Sequence, residues 1–168
     1  DFSEMLNIIK DDDDITNSKY IIGDFPEHII PKTDVYRIQD KQSYLNDINN
    51  NPTGINITMK IDGTSATYYK NEDGKIVACS RNKQTIEPLY TNITAEYNLE
   101  DKLNLYPYIA LQGEICGPKI QGNKLNLAKK QIMFYSAYNF IEHKYLSFHE
   151  LQNLMNELDL PFVPIINY

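Results

Sequence analysis

Four consecutive residues, Lys60-Ile61-Asp62-Gly63, have the residue types of a nucleophilic site. They end a run, Ile55 to Ile61, in which apolar and polar residues alternate strictly, and this pattern predicts a half-buried strand. Lys60 would lie on the polar face near the strand's end, where a neutral lysine amine can act as a covalent nucleophile. Gly63 has no Cβ and is expected to permit a tight turn. The same four residues would also fit an ordinary surface lysine before a hairpin aspartate.

Three further groups of chemically useful side chains lie in or beside other predicted strands. Ser80-Arg81-Asn82 follows a predicted hairpin, Glu114 lies near the end of an apolar run from Tyr108 to Ile115, and Tyr138 lies in a second run from Ile132 to Phe140. A carboxylate at the end of an apolar strand must find hydrogen bonds if it is buried. The structural alternatives are an exposed loop arginine, a glutamate in a structural salt bridge and a core tyrosine.

The elements that must position these residues are mainly strands. Ser65 to Tyr69 and Lys75 to Ser80, on either side of a turn at Asn71 to Gly74, predict a hairpin. The two apolar runs that contain Glu114 and Tyr138 are rich in aromatic and β-branched residues and predict buried strands.

Three helices are predicted, without a regular alternation with the strands. Lys41 to Asn49 and Thr94 to Leu105 have apolar residues at helical spacing, and Ser147 with Glu150 forms a capping box before a third helix. The apolar face of that third helix consists of Leu151, Leu154, Met155 and Leu158. Strands outnumber helices, so the predicted fold class is α+β.

Taken in order, these stretches resemble motifs I, Ia, III and IIIa of the ATP-dependent nucleic-acid ligases and mRNA capping enzymes. The four motifs are Lys60 to Gly63, Ser80 to Asn82, Leu111 to Glu114 and Phe134 to Asn139. Their flanks look most like nick-sealing, RNA ligase 2-like enzymes. The supporting stretches are Phe25-Pro26, Ile30 to Asp34, Arg37 to Gln39, Gly113 to Pro118 and Ile120 to Asn123. The resemblance covers residues 25–165 and implies the nucleotidyltransferase fold of a ligase adenylation domain, with antiparallel sheets flanked by helices.

The resemblance implies a chemistry for Lys60. In this family the lysine attacks the α-phosphate of ATP, expels pyrophosphate and forms lysyl-AMP. The AMP passes to an RNA 5′-phosphate, and a 3′-hydroxyl then displaces it and seals the strand. Such an amine must be neutral, which desolvation or neighbouring cations favour. ATP and Mg²⁺, or Mn²⁺, are the implied cofactors, because phosphoryl transfer depends on positioning and charge stabilisation.

The resemblance also assigns roles to other residues. Glu114 would bind a ribose hydroxyl, Tyr138 would stack on adenine, Arg81 would contact phosphate or the RNA strand, and Lys32 and Arg37 would reach the outer phosphates. The complete nucleotide-binding set is Lys32, Arg37, Met59, Lys60, Ile61, Asp62, Gly63, Arg81, Glu114 and Tyr138. The nucleic-acid-binding set is Arg81, Asn82, Lys119 and Lys124. No residue of this chain is assigned to a metal. Asn139 stands where many relatives have Asp.

The charge distribution is compatible with a nucleic-acid partner, although the net charge of −7 at first argues against one. Residues 1–31 hold 8 acidic and 2 basic residues, a balance of −6, which leaves 15 acidic and 14 basic residues, or −1, for the rest. Four lysines and no carboxylate lie between Ile115 and Ile141, which is typical of either a phosphate-binding surface or a solvated loop.

Length and composition predict one globular domain in a reducing compartment. The chain has 168 residues, of which 42% are hydrophobic and 23% charged, as in ordinary globular proteins. It contains no apolar run of membrane-spanning length and no secretory signal. Its two cysteines cannot form a disulfide framework. We therefore expect a cytoplasmic monomer.

The sequence divides into an acidic segment or linker, residues 1–24, and a partial adenylation domain, residues 25–168. Motifs IV and V of the family are expected after the last helix, so we expect the chain to be a piece of a longer protein. Two alternatives remain open: the same chemistry in a DNA ligase or a GTP-using capping enzyme, and a nucleotide- or RNA-binding module without catalysis.

Overall fold

A computed structural model of the chain describes residues 18–33, 38–40, 43, 46–47, 50 and 55–166. Within these residues, seven strands form one sheet in the order β1-β4-β3-β2-β5-β6-β7, and every pair of neighbours is antiparallel. The strands are β1 (Ile21–Asp24), β2 (Thr64–Lys70), β3 (Ile76–Cys79), β4 (Lys83–Thr85), β5 (Ile109–Cys116), β6 (Gln131–Asn139) and β7 (Lys144–Tyr145). The α-helices whose bounds lie within the described residues are α1 (Pro88–Glu96), α2 (Leu99–Lys102) and α3 (Phe148–Glu157). The predicted α+β class is confirmed.

The helices cover one face of the sheet and leave the other for the functional cleft. Leu111 and Ile115 of β5 and Phe134 of β6 are fully buried against the helical residues Tyr90 and Leu151. Alternate residues of the same strands point to the opposite face, where they enter two smaller apolar clusters. Because successive side chains of a strand point to opposite faces of the sheet, the same strands line the main core on one face and the cleft on the other.

The predicted hairpin and the two predicted buried strands are confirmed. β2 and β3 pair from Thr67 with Cys79 to Lys70 with Ile76. The Lys75 main-chain N–H donates to Asn71 Oδ1 (2.9 Å), and Gly74 takes a φ of +72°, which glycine tolerates best. The two apolar runs form β5 and β6, the two longest strands of the sheet.

The capping box predicted before the last helix is also confirmed. Ser147 accepts a hydrogen bond from the Glu150 main-chain N–H, and the Glu150 carboxylate accepts one from the Ser147 N–H (2.7 Å). Leu151, Leu154 and Met155 are buried on the inner face of α3.

The predicted helix from Thr94 to Leu105 is wrong, because two shorter helices share this region. α1 begins at Pro88, a residue well suited to a first helical turn, and ends at Glu96. Asn98 has a φ of +50° and interrupts the helical path before α2.

The predicted strand from Ile55 to Ile61 does not join the sheet. Its pairing among the described residues is one bridge between Thr58 and Ile165, with two backbone hydrogen bonds: Met59 N–H donates to Pro164 O (2.8 Å), and Ile166 N–H donates to Ile57 O (2.8 Å). Ile55 and Met59 remain exposed, and Ile61 is buried. The alternation is real, but a strand also needs a continuous ladder of backbone partners, which the described residues do not supply here.

The amino-terminal part of the chain is only partly described. Residues 21–24 of the predicted acidic segment form β1, which pairs with β4, and residues 1–17 lie outside the described residues. Most of the predicted helix from Lys41 to Asn49 also lies outside them. In the described part, no helix has the length and apolar character needed to cross a membrane.

Candidate active site

A cleft of about 640 Å³ lies on the sheet face opposite the main core. The predicted residues Met59 to Gly63, Arg81 and Glu114 all line it, although they come from three separate parts of the chain. Thr33, Ser65, Gln121 and Tyr135 are among the further lining residues. The cleft has the size of a typical small-molecule site.

Glu114 fixes the segment that carries Lys60 against the sheet. The Gly63 main-chain N–H donates to Glu114 Oε1 (3.2 Å), and Ser65 pairs with Glu114 in the β2–β5 ladder. A Cβ on Gly63 would lie 2.2 Å from the carbonyl oxygen of Ile115. Glycine is therefore required for close approach to β5, and not for the tight turn predicted from sequence.

Lys60 is exposed in the cleft. The acidic residue two positions later, Asp62, pairs with a lysine from a distant part of the chain. Lys124 Nζ donates to Asp62 Oδ2, in an ion pair that joins the cleft to the loop after β5. This hydrogen bond is the main cause that lowers the pKa of Asp62, and the charges of Lys124 and Lys60 lower it further. The observed partner of Asp62 is thus Lys124, a residue from another part of the chain.

Arg81 is presented to the cleft by a tight turn between β3 and β4. The Ser80 main-chain N–H donates to Lys83 O (2.8 Å), and Ser80 Oγ donates to the same oxygen (3.2 Å). The neighbouring Asn82 accepts a hydrogen bond from the Phe25 N–H through its main-chain carbonyl and does not line the cleft.

The structure does not bring Tyr138 to the cleft, and Tyr135 lies there instead. Tyr138 is buried beside Phe25 and Ile30, with its ring 5.0 Å from that of Tyr145. Gly113 pairs with Phe134 but Gln112 with Ser136, so Tyr135 is the extra residue of a β-bulge. The bulge shifts the alternation of β6, and the amino-terminal segment covers Tyr138 farther along the same face.

Tyr135 belongs to a polar cluster that sequence reasoning missed. Burial raises its pKa, and side-chain hydrogen bonds with Thr33 and Ser65 act in the opposite direction. Thr33 Oγ1 and Ser65 Oγ lie 3.3 Å apart. Tyr135 is part of the recognised aromatic motif, but a bulge leaves no local sequence signal that would favour it over Tyr138.

Of the remaining predicted cationic residues, the described ones, Lys32, Lys119 and Lys124, are not part of the cleft lining. Lys32 pairs with Glu27 (2.7 Å) next to the lining residue Thr33, and Lys119 is exposed on the loop after β5. Arg37 lies outside the described residues. The lysine-rich stretch after Ile115 is partly neutralised, because Lys124 pairs with Asp62 and Lys129 with Glu96.

The described residues do not form a metal site by themselves. Within the described ranges, no three His, Cys, Asp or Glu side chains cluster as metal ligands. Asp62 and Glu114 are the carboxylates of the cleft lining, and each is engaged by the hydrogen bond described above. These side chains do not fit a protein-only cation site, so we derive no step through a metal.

Comparisons with known proteins agree with this architecture. The closely matching solved structures include a Naegleria gruberi RNA ligase mutant with ATP and Mn, which is 29% identical with a TM-score of 0.81. A mutant of the same ligase with AMP and Mn is 29% identical (TM-score 0.80), and the ligase with PPi is 30% identical (TM-score 0.80). Each match covers 88% of this chain but only 45% to 46% of the ligase chain.

The sequence comparison identifies the family. Among curated proteins, none matches this chain. The family model described as RNA ligase matches residues 54–168, which contain Lys60, Arg81, Glu114 and Tyr135. This match covers more than half of the sequence and includes every strand of the sheet except β1. The chain belongs to the RNA ligase family.

Proposed function

We propose that this chain is the nucleotide-binding core of an ATP-dependent RNA ligase and that Lys60 is its nucleophile. The observation that carries the proposal is the convergence of Lys60, Arg81, Glu114 and Tyr135 on one cleft, from separate parts of the chain. A covalent nucleophile needs a cleft that holds the nucleotide beside it, and this arrangement supplies one.

In the first step, the neutral Lys60 amine attacks the α-phosphorus of ATP. The new N–P bond forms as the bond to the bridging oxygen of pyrophosphate breaks, and the amine proton is lost to solvent. The products are lysyl-AMP and pyrophosphate. Arg81 is placed to stabilise phosphate charge, and the Gly63–Glu114 hydrogen bond holds the segment that carries the nucleophile.

The nucleoside would bind beside Lys60, on the Tyr135 side of the cleft. The Tyr135 ring replaces Tyr138 as the stacking surface for the base, because Tyr135 lines the cleft and Tyr138 is covered. Glu114 is the proposed acceptor for a ribose hydroxyl.

The two RNA steps are also nucleophilic attacks on a phosphorus atom. An oxygen of an RNA 5′-phosphate attacks the phosphorus of lysyl-AMP, which releases Lys60 and forms an AMP-capped end. A 3′-hydroxyl then attacks the RNA phosphorus, and AMP leaves. The proposed partner is RNA with a 5′-phosphate and a 3′-hydroxyl, contacted by Arg81 of the cleft and by the exposed Lys119 of the loop after β5, and the proposed acting form is a monomer. The chain spans less than half of the matched ligase structures, so these steps concern the whole protein.

The first test is intact-mass measurement after incubation with ATP and either Mg²⁺ or Mn²⁺. We expect an AMP adduct on the wild-type chain and none on Lys60→Ala. Lys75→Ala, which changes an exposed lysine of the β2–β3 turn, is the matched control and should retain the adduct. Absence of the adduct from the chain, and from any longer protein that contains it, would contradict catalysis and favour a binding module.

The second test separates the alternatives that share this chemistry. We expect ATP, and not GTP, to give the adduct, since a capping enzyme would use GTP. Sealing of nicked RNA in preference to nicked DNA would then support the RNA ligase assignment, and the reverse preference would contradict it.

A further inference from the structure

The loop between β5 and β6 has an unusual backbone and reaches the cleft. Four of its non-glycine residues have positive φ angles, namely Lys119 (66°), Gln121 (42°), Asn123 (48°) and Asn126 (50°). Such conformations are costly outside glycine and persist where the surrounding structure holds them, often beside functional sites. Gln121 of this loop lines the cleft.

Side-chain contacts anchor the loop on both sides of Lys124. Asn123 Nδ2 donates to Leu127 O (3.0 Å), and the Leu127 main-chain N–H donates to Asn123 Oδ1 (3.0 Å). Leu127 in turn packs against the apolar cluster that contains Ile61, the residue between Lys60 and Asp62. The loop and the nucleophile segment therefore share one packing unit through Leu127 and Ile61, which brings the backbone of Lys124 near Asp62.

Lys124 contacts Asp62, the carboxylate nearest in sequence to Lys60. Its Nζ donates to Asp62 Oδ2, and both side chains are partly exposed. Asp62 is subject to the positive charges of both Lys124 and Lys60. An exposed ion pair of this kind contributes little to the free energy of folding. Folding stability therefore does not account for the pairing of Lys124 with Asp62.

We propose that Lys124 is a positioning residue that occupies Asp62 and thereby keeps Asp62 from pairing with the Lys60 ammonium group. A Lys60–Asp62 ion pair would stabilise the protonated, unreactive amine, whereas Asp62 paired with Lys124 leaves Lys60 available. The other charged or titratable side chains that line the cleft around Lys60 are Arg81, Glu114 and Tyr135. The proposal deepens the proposed function and rests on Lys60 being the nucleophile.

This role differs from the contact with RNA that the sequence predicts for Lys124. An RNA contact acts only when RNA is bound, whereas occupation of Asp62 acts on the free protein and on the first chemical step. The two roles can therefore be separated by experiments that contain no RNA.

The primary test is competitive labelling of lysines with trace acetic anhydride over a range of pH, read by peptide mass spectrometry with Lys75 as the internal reference. Only the neutral amine reacts, so labelling of Lys60 reports its protonation without any ligase activity. In Lys124→Ala the pH of half-maximal Lys60 labelling should rise by about half a unit. Lys124→Arg should restore the wild-type value.

The matched control is Lys129→Ala, which removes an exposed ion pair with Glu96 from the same stretch of chain. This variant should leave the labelling of Lys60 unchanged. An unchanged labelling profile in Lys124→Ala, or an equal shift in Lys129→Ala, would overturn the proposal.

A second arm measures lysyl-AMP formation from ATP without RNA. Lys124→Ala should form it about threefold more slowly near pH 7, the rate equivalent of half a pH unit, and the difference should close at higher pH. Unchanged lysyl-AMP formation with slower sealing of RNA would overturn the proposal and assign Lys124 to RNA contact. If wild-type protein forms no lysyl-AMP, the proposed function fails, and the labelling result still decides whether Lys124 controls Lys60.

Discussion

The main-chain N–H of Gly63 donates a hydrogen bond to the carboxylate of Glu114, across 51 positions of sequence, at 3.2 Å. This bond joins the segment that carries Lys60 to strand β5 in the interior of the sheet. Glu114 therefore holds the site together in addition to its proposed contact with the ribose. The relationship explains why a glycine lies three residues after the nucleophile and why a carboxylate lies near the end of a largely apolar strand.

Gly63→Ala should destabilise the fold and displace Lys60. The new methyl group would lie 2.2 Å from the Ile115 carbonyl oxygen, a backbone atom that cannot move without disturbing the β2–β5 ladder. We expect a loss of about 2 kcal/mol or more in the free energy of unfolding, measured by urea denaturation. Gly23→Ala is the matched control, because its methyl would make ordinary contacts with the Gln84 side chain at 3.4 Å and beyond. Equal stability of the two variants would contradict the close approach seen at Gly63.

Glu114→Ala and Glu114→Gln separate the structural role of this side chain from its charge. The glutamine retains an oxygen that can accept from the Gly63 N–H, whereas the alanine leaves that donor without its acceptor. We expect lysyl-AMP formation to be impaired more by alanine than by glutamine, in a rate measurement at saturating ATP. Equal impairment would mean that the hydrogen bond to Gly63 does not contribute to positioning.

Tyr135 and Tyr138 should respond in opposite ways to truncation. Tyr135→Ala should weaken ATP binding about tenfold, as expected for loss of a stacking surface, with a smaller effect on stability. Tyr138→Ala should cost about 3 kcal/mol or more of stability, because the side chain fills the cluster with Phe25 and Ile30. ATP titration and thermal unfolding of both variants check this. A binding defect confined to Tyr138→Ala would restore the assignment made from sequence.

These two tyrosines show what local pattern can and cannot predict. The hairpin, β5, β6 and the capped helix α3 follow from residues close in sequence, and all were predicted. The bulge at Tyr135 depends on the register between two strands, which no local pattern encodes. The same reason explains the failure at Ile55 to Ile61, where the sequence alternates but the described residues supply no continuous partner strand.

The sequence motifs predicted which residues form the site, but they did not predict the long-range contacts between those residues. Lys60, Arg81 and Glu114 line one cleft as their motifs imply. The pairing of Lys124 with Asp62 joins residues 62 positions apart, and neither side chain has a distinctive sequence signal. Such contacts depend on how the loop after β5 folds back over the nucleophile segment.

Acid should remove the stabilising effect of the capping box on α3. Hydrogen bonds from Ser147 lower the pKa of Glu150 below its usual 4.5, so the ionised form stabilises the folded state. Because the folded-state pKa is the lower one, this contribution is complete above about pH 4.5 and is lost as the pH falls through the folded-state value. The difference in stability between wild type and Glu150→Gln, measured by urea denaturation, should therefore shrink from neutral pH to about pH 3. A constant difference would contradict this account.

The most direct measurement of the central claim is peptide mapping of the protein after reaction with ATP. Tandem mass spectrometry should place AMP on Lys60, through a phosphoramidate that is lost in acid, and added pyrophosphate should remove the AMP and regenerate ATP. AMP on another residue, or an adduct that persists in Lys60→Ala, would contradict the assignment of Lys60 as the nucleophile.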